Sequence, residues 1–107
     1  MRLFSTVKVD GPSMAPALIP GDVLYVRWFS KKGAKAKALS VGEIVILERD
    51  EQPGVFYIKR IEKIEPAGIW LKSENPKGTD STTWGWIPPH AIKAKHMFRI
   101  KKAKRKE

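Results

Sequence analysis

The chain of 107 residues contains no cysteine. This absence excludes a disulfide framework, a thiolate metal site and a cysteine nucleophile, and it is typical of a cytoplasmic protein. Long apolar runs are also missing, since the longest, such as Ile44–Leu47 and Val55–Ile58, have four residues each. A membrane-spanning helix needs roughly 20. Residues 1–10 alternate charged and apolar side chains and include no apolar segment of the kind found in signal peptides.

Acidic residues are scarce at the C-terminal end. Residues 93–107 hold eight Lys and Arg against one Glu, a net charge of +7, whereas residues 1–92 carry +3 of the total of +10. Such a basic end is usually a solvated, mobile terminus. Weak contact with an anionic surface is the alternative. No aromatic residue follows Phe98, so the tail lacks a platform for base stacking, which disfavours nucleic acid as a partner.

Histidines number two, His90 and His96, and neither has a carboxylate nearby in the sequence at the spacing of a metal ligand. We therefore expect neither a metal site nor a Ser–His–Asp triad. No glycine-rich phosphate loop follows a predicted strand. The sequence thus predicts a protein without a metal or other cofactor.

Short segments rich in β-branched and aromatic residues are separated by glycine and proline, which predicts a mainly β protein. The predicted strands are Val23–Trp28, Glu43–Glu48, Val55–Ile64, Gly68–Lys72 and Met97–Ile100. The mixed period of Val55–Ile64 would also suit a helix, but its β-branched and aromatic content favours a strand. Lys31–Leu39 is predicted to be a solvated loop, because Gly33 interrupts it and it has no apolar stripe. We expect one compact domain over residues 1–96, with the last strand and the basic tail at 97–107.

Two residues could carry chemistry. Ser13 lies between prolines in a segment that predicts a rigid turn, where Gly11 would let another backbone approach closely. Lys59 lies within the most apolar strand, where a lysine ordinarily points to water. If Lys59 faces the core instead, burial lowers the pKa of its amine. A neutral amine could then take the proton of a serine hydroxyl.

Taken in order, four segments resemble the Ser–Lys peptidases of the signal-peptidase I and LexA-like group (S24/S26). They are residues 11–18, 21–24, 41–45 and 57–61. A fifth segment, residues 73–88, is similar to the Gly-Asp-Asn…Asp-Ser-Arg…Trp-Gly segment of the signal-peptidase branch. The likeness spans about residues 7–95, and it implies a fold of short, coiled antiparallel strands.

The resemblance implies a role for each matching residue. Ser13 would be the nucleophile, with its backbone N–H in the oxyanion hole, and Lys59 would be the general base and later the acid. The substrate would bind as an extended strand between the segment before Gly11 and the strand that carries Lys59. The implied cleft residues are Gly11, Met14, Tyr57 and Ile58, and the implied supporting residues are Asn75, Asp80 and Ser81.

The chain departs from the family pattern at several positions. Ser73-Glu74 replaces the common Gly-Asp, and Gly78 stands where the signal-peptidase branch often has a serine that hydrogen-bonds the lysine. Ala17 and Thr82 stand where Thr and Arg are usual, and Gly11 lacks the hydroxyl that some relatives have there. Another group or water must therefore orient Lys59, and an inactive member of the family is an alternative.

Only 12 residues precede Ser13, too few for an apolar anchor or for the DNA-binding domain of a LexA-type repressor. The short form most resembles the peptidases that mature nickel-type superoxide dismutase by removing an N-terminal extension. We therefore expect a cytoplasmic serine endopeptidase whose partner is a precursor polypeptide, with the dismutase precursor as the expected substrate. The alternatives are a signal-peptidase-like enzyme peripheral to the membrane, and an inactive basic β-module that binds nucleic acid or an acidic partner.

Overall fold

Six strands in a single sheet are the main elements of the computed structural model, which describes residues 3–75 and 78–104. The strands are β1 (Phe4–Lys8), β2 (Val23–Trp28), β3 (Ile44–Glu48), β4 (Phe56–Glu65), β5 (Gly68–Lys72) and β6 (Ile92–Lys101). One short helix, α1 (Ser81–Trp84), and two 3-10 turns at Ala36–Ala38 and Pro89–Ala91 complete the elements. The prediction of a mainly β fold is confirmed.

The strand order in the sheet is β1-β2-β6-β3-β4-β5, and every pairing is antiparallel. Register shifts interrupt the β2–β6, β3–β6 and β4–β5 pairings. Such bulges bend a strand and increase its twist. The sheet is thus coiled, as the family resemblance implied.

Two clusters of buried side chains form the core, and β3 contributes to both because its two faces are covered. Val45 and Leu47 belong to the first cluster, whereas Ile46 belongs to the second. The first cluster continues through β4, β5 and the segment 87–92. The second includes Leu24 of β2 and Met14, the residue after Ser13.

Three local expectations need correction. β1 was not predicted, and β6 begins at Ile92 rather than at Met97. The segment Lys31–Leu39 is not simply a solvated loop, because Ala34 and Leu39 are buried in the first cluster. These two side chains are too far apart in sequence to produce an apolar stripe, although both are in contact with the core.

The beginning of the basic tail is tied to the body of the protein. The backbone N–H of Ala103 donates to Asp22, 2.7 Å away, and the fully buried Asp22 carboxylate also accepts from Ile19 and Arg99. Up to Ala103 the tail is therefore not a detached end, and residues 105–107 lie outside the described residues. In the described part of the chain, no helix has the length and apolar character that crossing a bilayer requires.

Candidate active site

A cleft of about 620 Å³ opens between β1 and β4. Val7–Asp10 forms one wall and Phe56–Lys59 the opposite wall, while the turn Gly11–Met14 closes one side. The sequence places these segments far apart, and the coiled sheet brings them together.

Both walls present a strand edge that has no partner among the described residues. β1 pairs with β2 alone. β3 pairs with β4 over Phe56–Arg60, whereas β5 pairs only with Arg60–Glu65. Phe56–Lys59 therefore has a partner on one side only. Two such edges across a cleft leave room for an added strand.

Ser13 lies half-buried in the turn between β1 and β2, and its backbone is held by the segment after β5. The Ser13 carbonyl accepts from the Ser73 hydroxyl at 2.6 Å and from the Asn75 N–H at 2.8 Å. The side-chain amide of Asn75 donates to the carbonyl of Pro12 at 3.1 Å. Because the N–H and C=O of a trans peptide point in opposite directions, the bond to Pro12 also sets the direction of the Ser13 N–H.

Lys59 is 1% exposed and is the largest of the fully buried side chains. Its Nζ lies 5.7 Å from the centroid of the Tyr57 ring and 5.8 Å from that of Trp84. Burial lowers the pKa of this amine, and the nearby carboxylate of Asp80 partly opposes that effect. None of the salt bridges found among the described residues involves Lys59. The amine is thus shielded from solvent and forms no ion pair among the described residues.

Asp80 joins the end of β5 to α1. One carboxylate oxygen accepts from the Thr82 N–H and hydroxyl, at 2.9 and 2.6 Å, and the other accepts from the Ser73 N–H at 2.9 Å. Burial raises the pKa of Asp80, but these hydrogen bonds and the charge of Lys59 together hold it below its usual range. Asp80 is therefore an anion fixed behind the cleft.

The structure brings most of the residues singled out from the sequence to one place. Ser13, Lys59, Gly11, Met14, Tyr57, Ile58 and Asn75 all line the cleft. Asp80 and Ser81 lie behind it, where the Ser81 hydroxyl accepts from the Leu71 N–H at 2.8 Å. At Gly11 no atom lies within 4 Å of an added Cβ. The close approach expected there does not occur among the described residues.

A comparison with protein-family models matches residues 4–84 to the Peptidase S24-like family. The matched region runs from β1 to α1 and includes both Ser13 and Lys59. The chain belongs to this family. As an S24-like protein it is assigned to the serine peptidases in general. A comparison with curated proteins gave no match.

Several residues of the S24-like cleft escaped the sequence analysis. Trp28 and Phe56 approach each other edge to face, with centroids 6.2 Å apart, and both line the cleft. Trp84 packs on Tyr57 at 4.9 Å beside the Lys59 amine. The alternation of polar and apolar residues at 6–10 was a usable signal for β1. No pattern in the sequence indicated the ring contacts.

The described residues of this S24-like protein include no group of three His, Asp or Glu side chains that could hold a metal ion. His90 pairs with Asp50 at 2.9 Å on the surface. His96 is half-buried outside the cleft lining, and burial, Arg99 and Arg60 lower the pKa of its ring. The cleft lining combines a serine, Ser13, with a buried lysine, Lys59.

Proposed function

We propose that this S24-like protein is an endopeptidase in which Ser13 is the nucleophile and Lys59 is the general base. One observation carries the proposal: a serine on a braced turn and a lysine with a lowered pKa line the same cleft. Burial of a lysine amine destabilises the fold, since it disfavours the charged form. A buried lysine in a cleft is therefore a candidate for a catalytic role. Proton abstraction from a serine hydroxyl is such a role.

In the first half of the proposed reaction, the neutral Lys59 amine takes the Ser13 proton as Oγ attacks the scissile carbonyl carbon. The resulting oxyanion accepts a hydrogen bond from the Ser13 N–H, whose direction the contact between Asn75 and Pro12 sets. The Lys59 ammonium then gives its proton to the nitrogen of the leaving amine as the C–N bond breaks. An ester on Ser13 remains.

In the second half, water attacks the ester while Lys59 takes one of the water protons. The proton returns to Ser13 Oγ as the carboxylic acid leaves, so the enzyme ends in its starting state. The low polarity around Lys59 favours its neutral form at the start of each half. The same residue can therefore serve both steps.

The substrate would enter as an extended strand between the two unpaired edges. Backbone hydrogen bonds to β1 and to Phe56–Lys59 would align it regardless of its sequence. Its alternate side chains would meet the apolar cleft residues Val7, Ile46 and Ile58. This mode of binding selects an unfolded segment, such as an N-terminal extension, over a folded surface.

The resemblance to the nickel-type superoxide dismutase maturation peptidases favours the precursor of that dismutase as the substrate. The test is to incubate the protein with that precursor and to look for a trimmed N-terminus by mass spectrometry. We expect Ser13→Ala and Lys59→Met to lower the cleavage rate by about 1,000-fold or more, because each removes a reacting group. Circular dichroism should show that both variants keep the fold.

Matched controls replace exposed residues of the same two types. Ser40→Ala and Lys63→Met change exposed residues outside the cleft lining, and both should cleave at the wild-type rate. Cleavage by Ser13→Ala at the wild-type rate would contradict the mechanism. Ser13-dependent cleavage of a peptide library without cleavage of the dismutase precursor would contradict only the substrate.

A further inference from the structure

The contact between the segment after β5 and the nucleophile turn contains a hydroxyl that the proposed mechanism does not use. Ser73 follows the last residue of β5 and is buried, with 5% exposure. Its hydroxyl donates to the Ser13 carbonyl over 2.6 Å, although the two residues are 60 positions apart. Its N–H donates to Asp80, the carboxylate whose charge acts on Lys59. Ser73 thus contacts the backbone of one proposed catalytic residue and the electrostatic neighbour of the other.

Gly78 faces this hydroxyl across a very narrow space. A Cβ added at Gly78 would lie 2.2 Å from Ser73 Oγ, 3.1 Å from Ser73 Cβ and 3.0 Å from Ser13 Cβ. The φ angle of Gly78 is outside the left-handed region that favours glycine. Glycine is therefore required here by the space and not by the backbone conformation. Positions 73 and 78 together have room for one side chain, and this chain places it at 73.

We infer that Ser73 is a positioning residue for the nucleophile and that Gly78 is a glycine so that the Ser73 hydroxyl can reach the Ser13 carbonyl. The inference rests on the proposed function. The bond fixes the peptide that follows Ser13, as the bond from Asn75 to Pro12 fixes the peptide before it. With both peptides held, the Cα–Cβ bond and the N–H of Ser13 keep a constant direction in the cleft, which lowers the entropy cost of reaching the transition state.

The first test is Ser73→Ala, which removes the hydroxyl and keeps the N–H that binds Asp80. We expect kcat to fall about tenfold, the effect of losing one hydrogen bond of ordinary strength. KM should change little, because substrate binding relies on the strand edges. The pH midpoint of the rate should stay where it is, since Lys59 keeps its surroundings. Wild-type kcat, or a shifted midpoint that places the effect on Lys59, would overturn the inference.

The second test moves the hydroxyl across the gap. Gly78→Ser alone should lower both kcat and the melting temperature, because its Cβ collides with Ser73. The exchange variant Ser73→Gly/Gly78→Ser again has one hydroxyl. The Cβ that carries it lies 2.2 Å from the original position of the Ser73 Oγ, so the new hydroxyl can occupy the same space. We expect it to recover kcat to within a few-fold of wild type, whereas Ser73→Gly alone stays impaired. If kcat of the exchange variant falls by the product of the two single-variant effects, positions 73 and 78 do not share one space.

These variants separate the inference from the proposed function. Loss of cleavage in Ser13→Ala, with retention in the surface control Ser40→Ala, establishes the peptidase before Ser73 is examined. Full activity of Ser73→Ala against that background overturns the positioning role alone. A wild-type protein without Ser13-dependent cleavage overturns both. The melting temperatures of Gly78→Ser and of the exchange variant report on the collision without any substrate.

Discussion

Lys59 is an ionisable residue buried among aromatic rings. Its neighbours Tyr57 and Trp84 present ring faces to the amine, and such faces attract a cation only weakly compared with water or a carboxylate. Asp80 contributes a charge but forms no ion pair with it. Lys59 is therefore poised between its charged and neutral forms by desolvation on one side and by Asp80 on the other.

This balance predicts how the cleavage rate depends on pH. Because burial lowers the pKa of Lys59, the neutral amine forms at a lower pH than in an exposed lysine, and kcat/KM should rise with pH through that lowered pKa. Asp80→Asn removes the charge that favours the ammonium, so its rise should occur at lower pH than in the wild type. A pH–rate series for both proteins measures the two midpoints. A flat wild-type profile, or a midpoint that moves upward in Asp80→Asn, would rule out Lys59 as the base.

At the level of single residues, the sequence and its family resemblance singled out Ser13 and Lys59, with Asn75, Asp80 and Ser81 as supports, but gave no role to Ser73 or Trp84. The turn signals around Ser13 and the apolar strand around Lys59 are local patterns. The contact between Ser73 and Ser13 joins residues 60 positions apart and depends on where β5 ends relative to the nucleophile turn. No periodicity in one chain encodes such a contact, so Ser73 and Trp84 became visible only in the structure.

Among the elements, α1 is four residues long and cannot be stable on its own. It forms because Asp80 accepts hydrogen bonds at its first turn and because Ser81 receives the N–H of Leu71 in β5. These hydrogen bonds hold the helix against β5, and the helix places Trp84 against Tyr57. The position of the aromatic pair beside Lys59 depends on this junction.

Replacement of Asp80 by alanine tests that dependence. Asp80→Ala removes the helix cap and leaves the buried N–H of Ser73 without its acceptor, which together should cost about 2–4 kcal/mol in the free energy of unfolding. Denaturant unfolding measures the loss. Asp50→Ala is the control, because Asp50 is an exposed carboxylate paired with an exposed histidine, and it should cost no more than about 0.5 kcal/mol. Equal free energies of unfolding for Asp80→Ala and Asp50→Ala would contradict the claim that Asp80 stabilises the contact between β5 and α1.

The strands show which elements a sequence can and cannot reveal. β2 to β5 lie within one or two residues of their predicted bounds, because their apolar runs are bracketed by glycine, proline or charged residues. The start of β6 was missed although Ile92–Lys95 alternates buried apolar residues with half-buried lysines, a period typical of a strand. β1 is only five residues long and depends on pairing with β2 for its existence.

Across the whole molecule, the two clusters share one sheet, so neither should unfold without the other. Leu24→Ala in the second cluster and Leu71→Ala in the first should each cost about 2–5 kcal/mol. Guanidinium titrations followed by circular dichroism and by tryptophan fluorescence should give coincident transitions of unchanged slope. Val41→Ala is the control, because Val41 is 62% exposed. A two-step curve in either leucine variant would show that the clusters unfold separately.

The open edges of β1 and β4 have a consequence for how the protein behaves in solution. An edge that can receive a peptide can also receive a strand from a neighbouring molecule, which is the usual first step of sheet-to-sheet association. The net charge of +10 makes neighbouring molecules repel one another. Salt at high concentration screens that repulsion and leaves the strand edges unchanged. The protein should therefore self-associate more readily at high ionic strength than in dilute buffer.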